Sequence, residues 1–330
     1  MNLCFRFLFL LLTVLTINSC SNEIDVLADY EENASVYALL DPNQTWQFIK
    51  INKVFVNPNS KAKDVAKLAD SLYFDTISPF LIENESGRRI PLFKANIALK
   101  DSGIFANSPN YLYVTNERIF EDNSYRLEFN LPQTGKLVSA STNVVNTPFV
   151  VYPVSFSQRA LTVPQNASIL LQFAAPKKGK IYDAYLYFNY TEINKFDTSQ
   201  KTDYTIKWKI LRSYRSLSDK GNEFVSQRIS SSLFYDLLLS NIKPNVNVIR
   251  KFRTNEFELV SGNLELDNYI QASTPSIGIV QKQSEYTNIL NGVGIFASRN
   301  TFYLDNIVLS ELTKNVIVSS PDYKPLGFVK

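Results

Sequence analysis

Between Ser124 and Val145 the chain repeats every two residues. Tyr125, Leu127 and Phe129 are apolar, and Arg126 and Glu128 stand between them. That period belongs to a half-buried strand, whereas a helix brings its apolar residues back every three or four. Pro132-Gln133-Thr134-Gly135 supplies turn chemistry, and Leu137–Val145 returns rich in Ser, Thr and Val. The spacing predicts a β-hairpin with one face in a core. Shorter stretches of the same kind precede it: Ser35–Leu40, Trp46–Val56, Phe80–Glu83, Ile90–Leu99 and Tyr111–Val114. Asp41-Pro42-Asn43 separates the first two. Only Lys61–Ala69 breaks the pattern, with Val65, Leu68 and Ala69 at helical spacing. Short strands with regular turn signals predict a β-sandwich over residues 35–147, immunoglobulin-like in architecture although the Cys…Trp…Cys signature is absent.

Residues 146–153, NTPFVVYP, carry two prolines and mark the expected crossing into a second β-rich domain, 148–330. There Ser168–Phe173, Ile181–Tyr190, Phe257–Val260, Gly294–Ala297 and Thr301–Leu309 read as strands. Thr205–Leu211 alternates Ile206, Trp208 and Ile210 with Lys207 and Lys209, the mark of a half-buried antiparallel strand. Ser232–Asn241 changes period. Phe234, Leu237 and Leu238 fall at helical spacing and Pro244 follows, so a short helix is expected. Leu264–Ile270 reads as a helical turn. The predicted fold is mainly β: two β-sandwich-like domains, with one or two short helices in the second.

The N-terminus has a different character. Arg6 precedes an apolar run, Phe7–Ile17, about half the ~20 residues that a spanning helix needs. This is the pattern of a secretory signal peptide. Ile17-Asn18-Ser19-Cys20 resembles a bacterial lipobox, in which the cysteine thiol receives diacylglycerol and becomes the mature N-terminus. The expected organisation is therefore a lipoprotein signal peptide at 1–19 and a lipidated tether at 20–34, anchored to outer-membrane lipid through Cys20. The cysteine count agrees. Of two cysteines Cys4 falls in the signal segment, and lipidation accounts for the one left over. Two or three acyl chains hold a protein stably at a membrane. Ser21-Asn22-Glu23-Ile24-Asp25 loosely resembles the acidic export signal of Bacteroidota surface lipoproteins, which implies exposure at the cell surface.

Composition removes whole classes of chemistry. The chain contains no histidine, so Ser-His-Asp and Cys-His catalysis and histidine-bound zinc are excluded. No metal site and no cofactor are expected. Ten glycines form no phosphate-cradling loop, and Gly292-Val293-Gly294 lacks the third glycine of a nucleotide fingerprint. Carboxylate-pair chemistry remains open in principle, but no acid pair stands out. The net charge of +3 is small and dispersed, so no polyanion is implied.

Three surface features carry candidate functions. Ile181–Tyr190 crowds four tyrosines into ten residues, and Tyr185 and Tyr187 share a face with Asp183, a candidate platform for a sugar ring. Lys207, Lys209, Arg212 and Arg215 interleave with Trp208 and Tyr214, superficially like a nucleic-acid surface. A solvated strand face explains them better, and no nucleic-acid partner is expected. Asp70-Ser71-Leu72 and Asp75-Thr76-Ile77 resemble the acceptor motif of Bacteroidota periplasmic O-glycosylation, which makes Ser71 and Thr76 candidate acceptors.

The segment Thr274–Arg299, TPSIGIVQKQSEYTNILNGVGIFASR, ends in Tyr286, Asn288, Ile289, Asn291, Gly292, Gly294, Ile295 and Phe296. This pattern resembles a family of uncharacterised Bacteroidota outer-membrane lipoproteins. SVYALLDPNQTWQFIKINKVFV and SYRLEFNLPQTGKLVSAST are similar to the same family. The resemblance implies an outer-membrane lipoprotein with an immunoglobulin-like N-terminal domain, and an accessory role in uptake or surface assembly, beside a TonB-dependent transporter. It brings no catalytic residues. Taken on its own residues, Asn291-Gly292 predicts a tight hairpin turn with positive φ at both positions. Gly294 predicts a bulge or a close backbone approach.

The functional expectation is a non-catalytic cell-surface lipoprotein that binds a partner protein or a glycan. The alternatives are a carboxylate-dependent carbohydrate-active enzyme and a structural or adhesive surface subunit.

Overall fold

The computed structural model describes residues 32–54, 72–97, 108–154, 159–274 and 285–330. The expected signal segment, Cys20, Ser71 and the expected helix Lys61–Ala69 lie outside the described residues. In chain order the first region comprises β1 (Asn33–Leu40), β2 (Gln47–Val54), β3 (Phe80–Glu83), β4 (Arg89–Pro91), β5 (Phe93–Asn96), β6 (Tyr111–Thr115), β7 (Ser124–Asn130) and β8 (Leu137–Asn143). The second begins with β9 (Phe149–Tyr152), β10 (Ala160–Leu161), β11 (Ser168–Ala174), β12 (Ile181–Asn194), β13 (Lys201–Arg215) and β14 (Phe224–Ser230). Helix α1 (Ser232–Asn241), β15 (Val248–Phe252), β16 (Asn255–Gly262), α2 (Leu264–Ser273), β17 (Gly292–Leu309), α3 (Glu311–Ser319) and β18 (Phe328–Val329) complete it. The protein is mainly β, built from packed sheets.

Two apolar cores form for the reason the alternation predicts. In the first, Val36, Ile49 and Ile51 on β1 and β2 face Leu81, Leu127, Phe129 and Val138 on the antiparallel sheet β4-β3-β7-β8. In the second, Leu186, Phe188, Trp208 and Phe257 on β12, β13 and β16 face Leu171, Phe173 and Val225 on the sheet β14-β11-β9. Each fully buried side chain of this size contributes about 1.5–3 kcal/mol. The expected hairpin forms with Gly135 at φ 66°, closing the turn after Leu131. Helix α1 occupies the expected residues and adds Phe234, Tyr235 and Leu238 to the second core. No helix among the described residues is long and apolar enough to cross a membrane.

Several features depart from the expectations. Phe149–Tyr152, expected to be a crossing, is a strand paired with β11. Among the described residues of the second half three α-helices form rather than one or two, the third, α3, capped by Ser310, which accepts from the Thr313 backbone N–H. The two expected strands at 294–297 and 301–309 are one continuous strand, β17. Its first half lies parallel to β1, Ala34 opposite Gly292 through Leu40 opposite Ser298. Its second half pairs antiparallel with β16. A single strand thus runs through both cores and joins them into one 11-stranded sheet. Ile289 and Phe296, near the far end of the chain, belong to the first core.

Candidate functional site

The expected Asn291-Gly292 hairpin does not form. Asn291 has φ 53°, but Gly292 is not in the left-handed region and begins β17. The glycine is needed for space: a Cβ there would lie 2.8 Å from Ile289 Cγ2 and 2.9 Å from the Ala34 carbonyl oxygen. Gly294 is the position that needs both freedom and room, with φ 107° and a Cβ that would fall 2.1 Å from the Val36 carbonyl oxygen. The Asn288 amide completes the seal. Its Nδ2 donates to the Phe296 carbonyl at 2.7 Å, and its Oδ1 accepts from the Phe296 N–H at 3.0 Å. This segment seats β17 against β1 and β8, which is a structural task.

Where β17 passes from one core to the other, the seam is polar and buried. Asn300 Nδ2 donates to the Val145 carbonyl at 2.9 Å, and Ser298 Oγ donates to the Asn143 carbonyl at 2.7 Å. Asn263 Nδ2 donates to Thr142 Oγ1 at 2.7 Å, while its Oδ1 accepts from the Leu266 N–H and starts α2. One side chain therefore caps a helix and ties it to the opposite domain. The consequence is placement: Leu266 and Tyr269 of α2 come to lie beside the outer face of β1 and β17.

Beneath α2 a cleft of about 450 Å³ opens along β1 and β2. Tyr37, Trp46 and Phe48 line it with 46–47% of their surface exposed. Tyr269 meets Tyr37 edge-on at 6.3 Å. A charged pair lies beside the rings: Arg299 Nε donates to Asp41 Oδ2 at 3.3 Å, with Asp41 buried and Arg299 half-exposed. Asp41 is held further by Thr301 Oγ1 at 3.2 Å and by the Asn43 N–H at 3.0 Å. Gln47 clamps the turn that carries it, accepting from the Asp41 N–H and donating to the Asp41 carbonyl. Burial pushes the Asp41 carboxyl above its ordinary value, with the Asn43 N–H and Arg299 partly offsetting. Among the described lining residues, Asp41 is the single carboxylate and Arg299 the single cation.

The tyrosine face of β12 is arranged differently. The structure does bring Asp183, Tyr185 and Tyr187 together, with the Tyr185 hydroxyl donating to Asp183 Oδ2 at 3.1 Å. The face is already occupied by its own neighbours. Lys207 Nζ sits 3.9 Å from the Tyr185 ring centre and 5.0 Å from that of Tyr187. Lys209 pairs with Asp183 at 2.5 Å, and Tyr187 donates to Glu258 at 2.5 Å. Burial and then Glu258 push the Tyr187 hydroxyl well above its ordinary value. Arg215 pairs with the buried Asp267, so three of the four interleaved basic residues are engaged within the protein. Thr76 is exposed at the surface.

Sequence reasoning did not single out the cleft. Its residues come from three separate stretches, around 37–48, 266–269 and 295–299. A usable signal existed in Tyr37 and Phe48, large aromatic residues on the outward register of strands whose inward positions are filled by Val36 and Ile49.

No family model matches the chain, and no curated protein matches it. Among solved structures, it is similar at 11% identity to the C-terminal globular domain of an oligosaccharyltransferase from Pyrococcus abyssi. That match takes in 66% of this chain and 45% of the other, less than half of its length. Its TM-score of 0.24 carries no argument about fold or function.

Proposed function

We propose that the protein is a lipid-anchored, cell-surface binding protein that holds its ligand in the cleft beneath α2 without turning it over. The observation that carries this reading is the set of half-exposed aromatic rings beside a fixed charged pair, in a cavity of a size usual for small-ligand sites. A single carboxylate in the described lining also favours holding over hydrolysis, since glycoside cleavage uses two acids about 5–10 Å apart. The lipobox-like Ile17–Cys20 and the acidic residues after it support anchoring through Cys20 and exposure at the surface. The family resemblance supports a role beside a TonB-dependent transporter.

The test has two parts. In the native bacterium, labelled fatty acid should enter the wild type and not Cys20→Ser, and protease added to intact cells should digest the wild type. Native-membrane extracts in mild detergent should yield a ligand or partner whose retention falls on Trp46→Ala. Incubation with polysaccharides should release no new reducing ends. Unchanged retention by Trp46→Ala, or turnover lost on Asp41→Asn in a folded protein, would contradict the reading.

A further inference from the structure

We infer that the occupant of this cleft is a neutral carbohydrate, stacked on Trp46 and Phe48 and hydrogen-bonded at the end formed by Gln44 and by Arg299, which the buried Asp41 holds in place. The inference rests on the binding role proposed above and names the ligand class.

Four observations converge on it. The rings of Trp46 and Phe48 are half-exposed in the cleft, Tyr269 meets Tyr37 edge-on, and Lys50, which β2 sets opposite Tyr37, donates to Asn110 Oδ1 at 3.4 Å. An aromatic face carries negative charge density, and it attracts the weakly positive C–H face of a sugar ring. The charge in the described lining cancels, with Asp41 against Arg299. An anionic ligand would meet Asp41, and a cationic one would meet Arg299; a neutral ligand meets neither penalty.

The polar groups then select among neutral ligands. The half-exposed Arg299 guanidinium only donates, and the exposed Gln44 amide both donates and accepts. A hydroxyl donates and accepts at once, so neighbouring sugar hydroxyls use both groups together. Arg299 reaches Asp41 through Nε, and its side chain is 43% exposed, so the guanidinium is accessible as a donor. Asp41 is fixed by bonds from Asn43, Thr301 and Arg299, so the ligand has little ordering to pay for. An apolar peptide surface would stack on the rings but leave the half-exposed guanidinium desolvated and without new partners.

The experiment uses the full lipidated chain in a zwitterionic detergent. It is titrated with neutral oligosaccharides of glucose, xylose, mannose and galactose, and tryptophan emission is followed. At least one series should bind and shift the emission. Trp46→Ala should weaken that binding by about tenfold or more, the loss of roughly one stacked ring. Arg299→Lys, which keeps the charge but loses the planar donor set, should weaken it severalfold. Tyr185→Ala should leave it unchanged, and unfolding midpoints should confirm that all variants fold. An oligosaccharide bound equally by wild type and Trp46→Ala would overturn the inference. So would a protein partner retained through Trp46 while every oligosaccharide fails, an outcome that leaves the binding role standing. If neither sugar nor partner depends on Trp46, both readings fall.

Discussion

The protein presents two aromatic surfaces that differ in what their neighbours do. On β12 the rings of Tyr185 and Tyr187 lie under Lys207, and the hydroxyl of Tyr187 is spent on Glu258. Across the seam, Trp46, Phe48 and Tyr37 stay half-exposed around a cavity, with the Asp41–Arg299 pair beside them. Both surfaces come from the same rule, aromatic residues at outward positions of strands. They part company because Lys207 sits over Tyr185 and Tyr187, whereas Lys50, which β2 sets opposite Tyr37, reaches Asn110 Oδ1 at 3.4 Å. An exposed ring is thus a weak pointer to function until its cross-strand partners are known.

The largest effect should come from separating the two halves of the cleft. Gly294→Val adds a Cβ within 2.1 Å of the Val36 carbonyl and forces a β-branched residue to φ 107°. It should cost roughly 4 kcal/mol or more in urea unfolding, or leave no soluble protein. A cost below about 1 kcal/mol would mean that β1 and β17 are not in register as described.

A smaller loss should follow from cutting α2 loose from the seam. Asn263→Ala removes the cap of α2 and the amide's bonds to Thr142 Oγ1 and the Asn143 carbonyl, for about 1–3 kcal/mol. It should also weaken ligand binding in the cleft while leaving the tyrosine face intact. Equal damage at both surfaces, measured by hydrogen exchange, would erase the distinction between them.

Titration sharpens the comparison within the first domain, where two buried carboxylates shift in opposite directions. Burial raises Asp41 above its ordinary 3.8. The folded state therefore holds that proton more tightly than the unfolded chain, and the stability this gives is complete below 3.8 and lost as pH rises through the raised value. Glu83 is lowered from 4.5, first by the Ser86 hydroxyl, against its burial, and then by Asn123 and Tyr125. Its contribution is present above 4.5 and lost as pH falls through the lowered value. Wild type should thus gain on Asp41→Asn as the solution is acidified towards pH 4, and lose against Glu83→Gln under stronger acid. The same sign for both variants would contradict the two environments.

The smallest effect belongs to the tyrosine face. Lys207→Ala removes a cation over two rings and should cost less than about 1 kcal/mol, with no change in ligand affinity.

Much of the local structure was legible because local rules decide it. The period of two at 125–129 and the glycine at 135 specify their hairpin, and the spacing of Phe234, Leu237 and Leu238 specifies α1. The path of β17 was not legible. Nothing in GVGIFASRNTFYLDNIVL marks the point near Arg299 where its partner changes from β1 to β16, because both pairings use the same extended backbone. Gly292 was misjudged for a related reason. A glycine after asparagine signals a turn, but here it answers to the Ala34 carbonyl, some 258 residues distant in the chain. The cleft inherits this difficulty, since Asp41 and Arg299 meet only after β17 has returned to β1.

The most direct test of the central claim uses the two tryptophans, one in each region. Trp208 is buried in the second core and Trp46 is half-exposed in the cleft. With Trp208→Phe, Trp46 becomes the sole reporter, and acrylamide quenching is measured with and without a saturating bound oligosaccharide. The account predicts strong quenching in the free protein and a several-fold drop when the ligand is bound, with Tyr185→Ala and Tyr187→Ala making no difference. Quenching that stays the same on saturation, with binding abolished instead by the tyrosine substitutions, would place the ligand on β12 and contradict it.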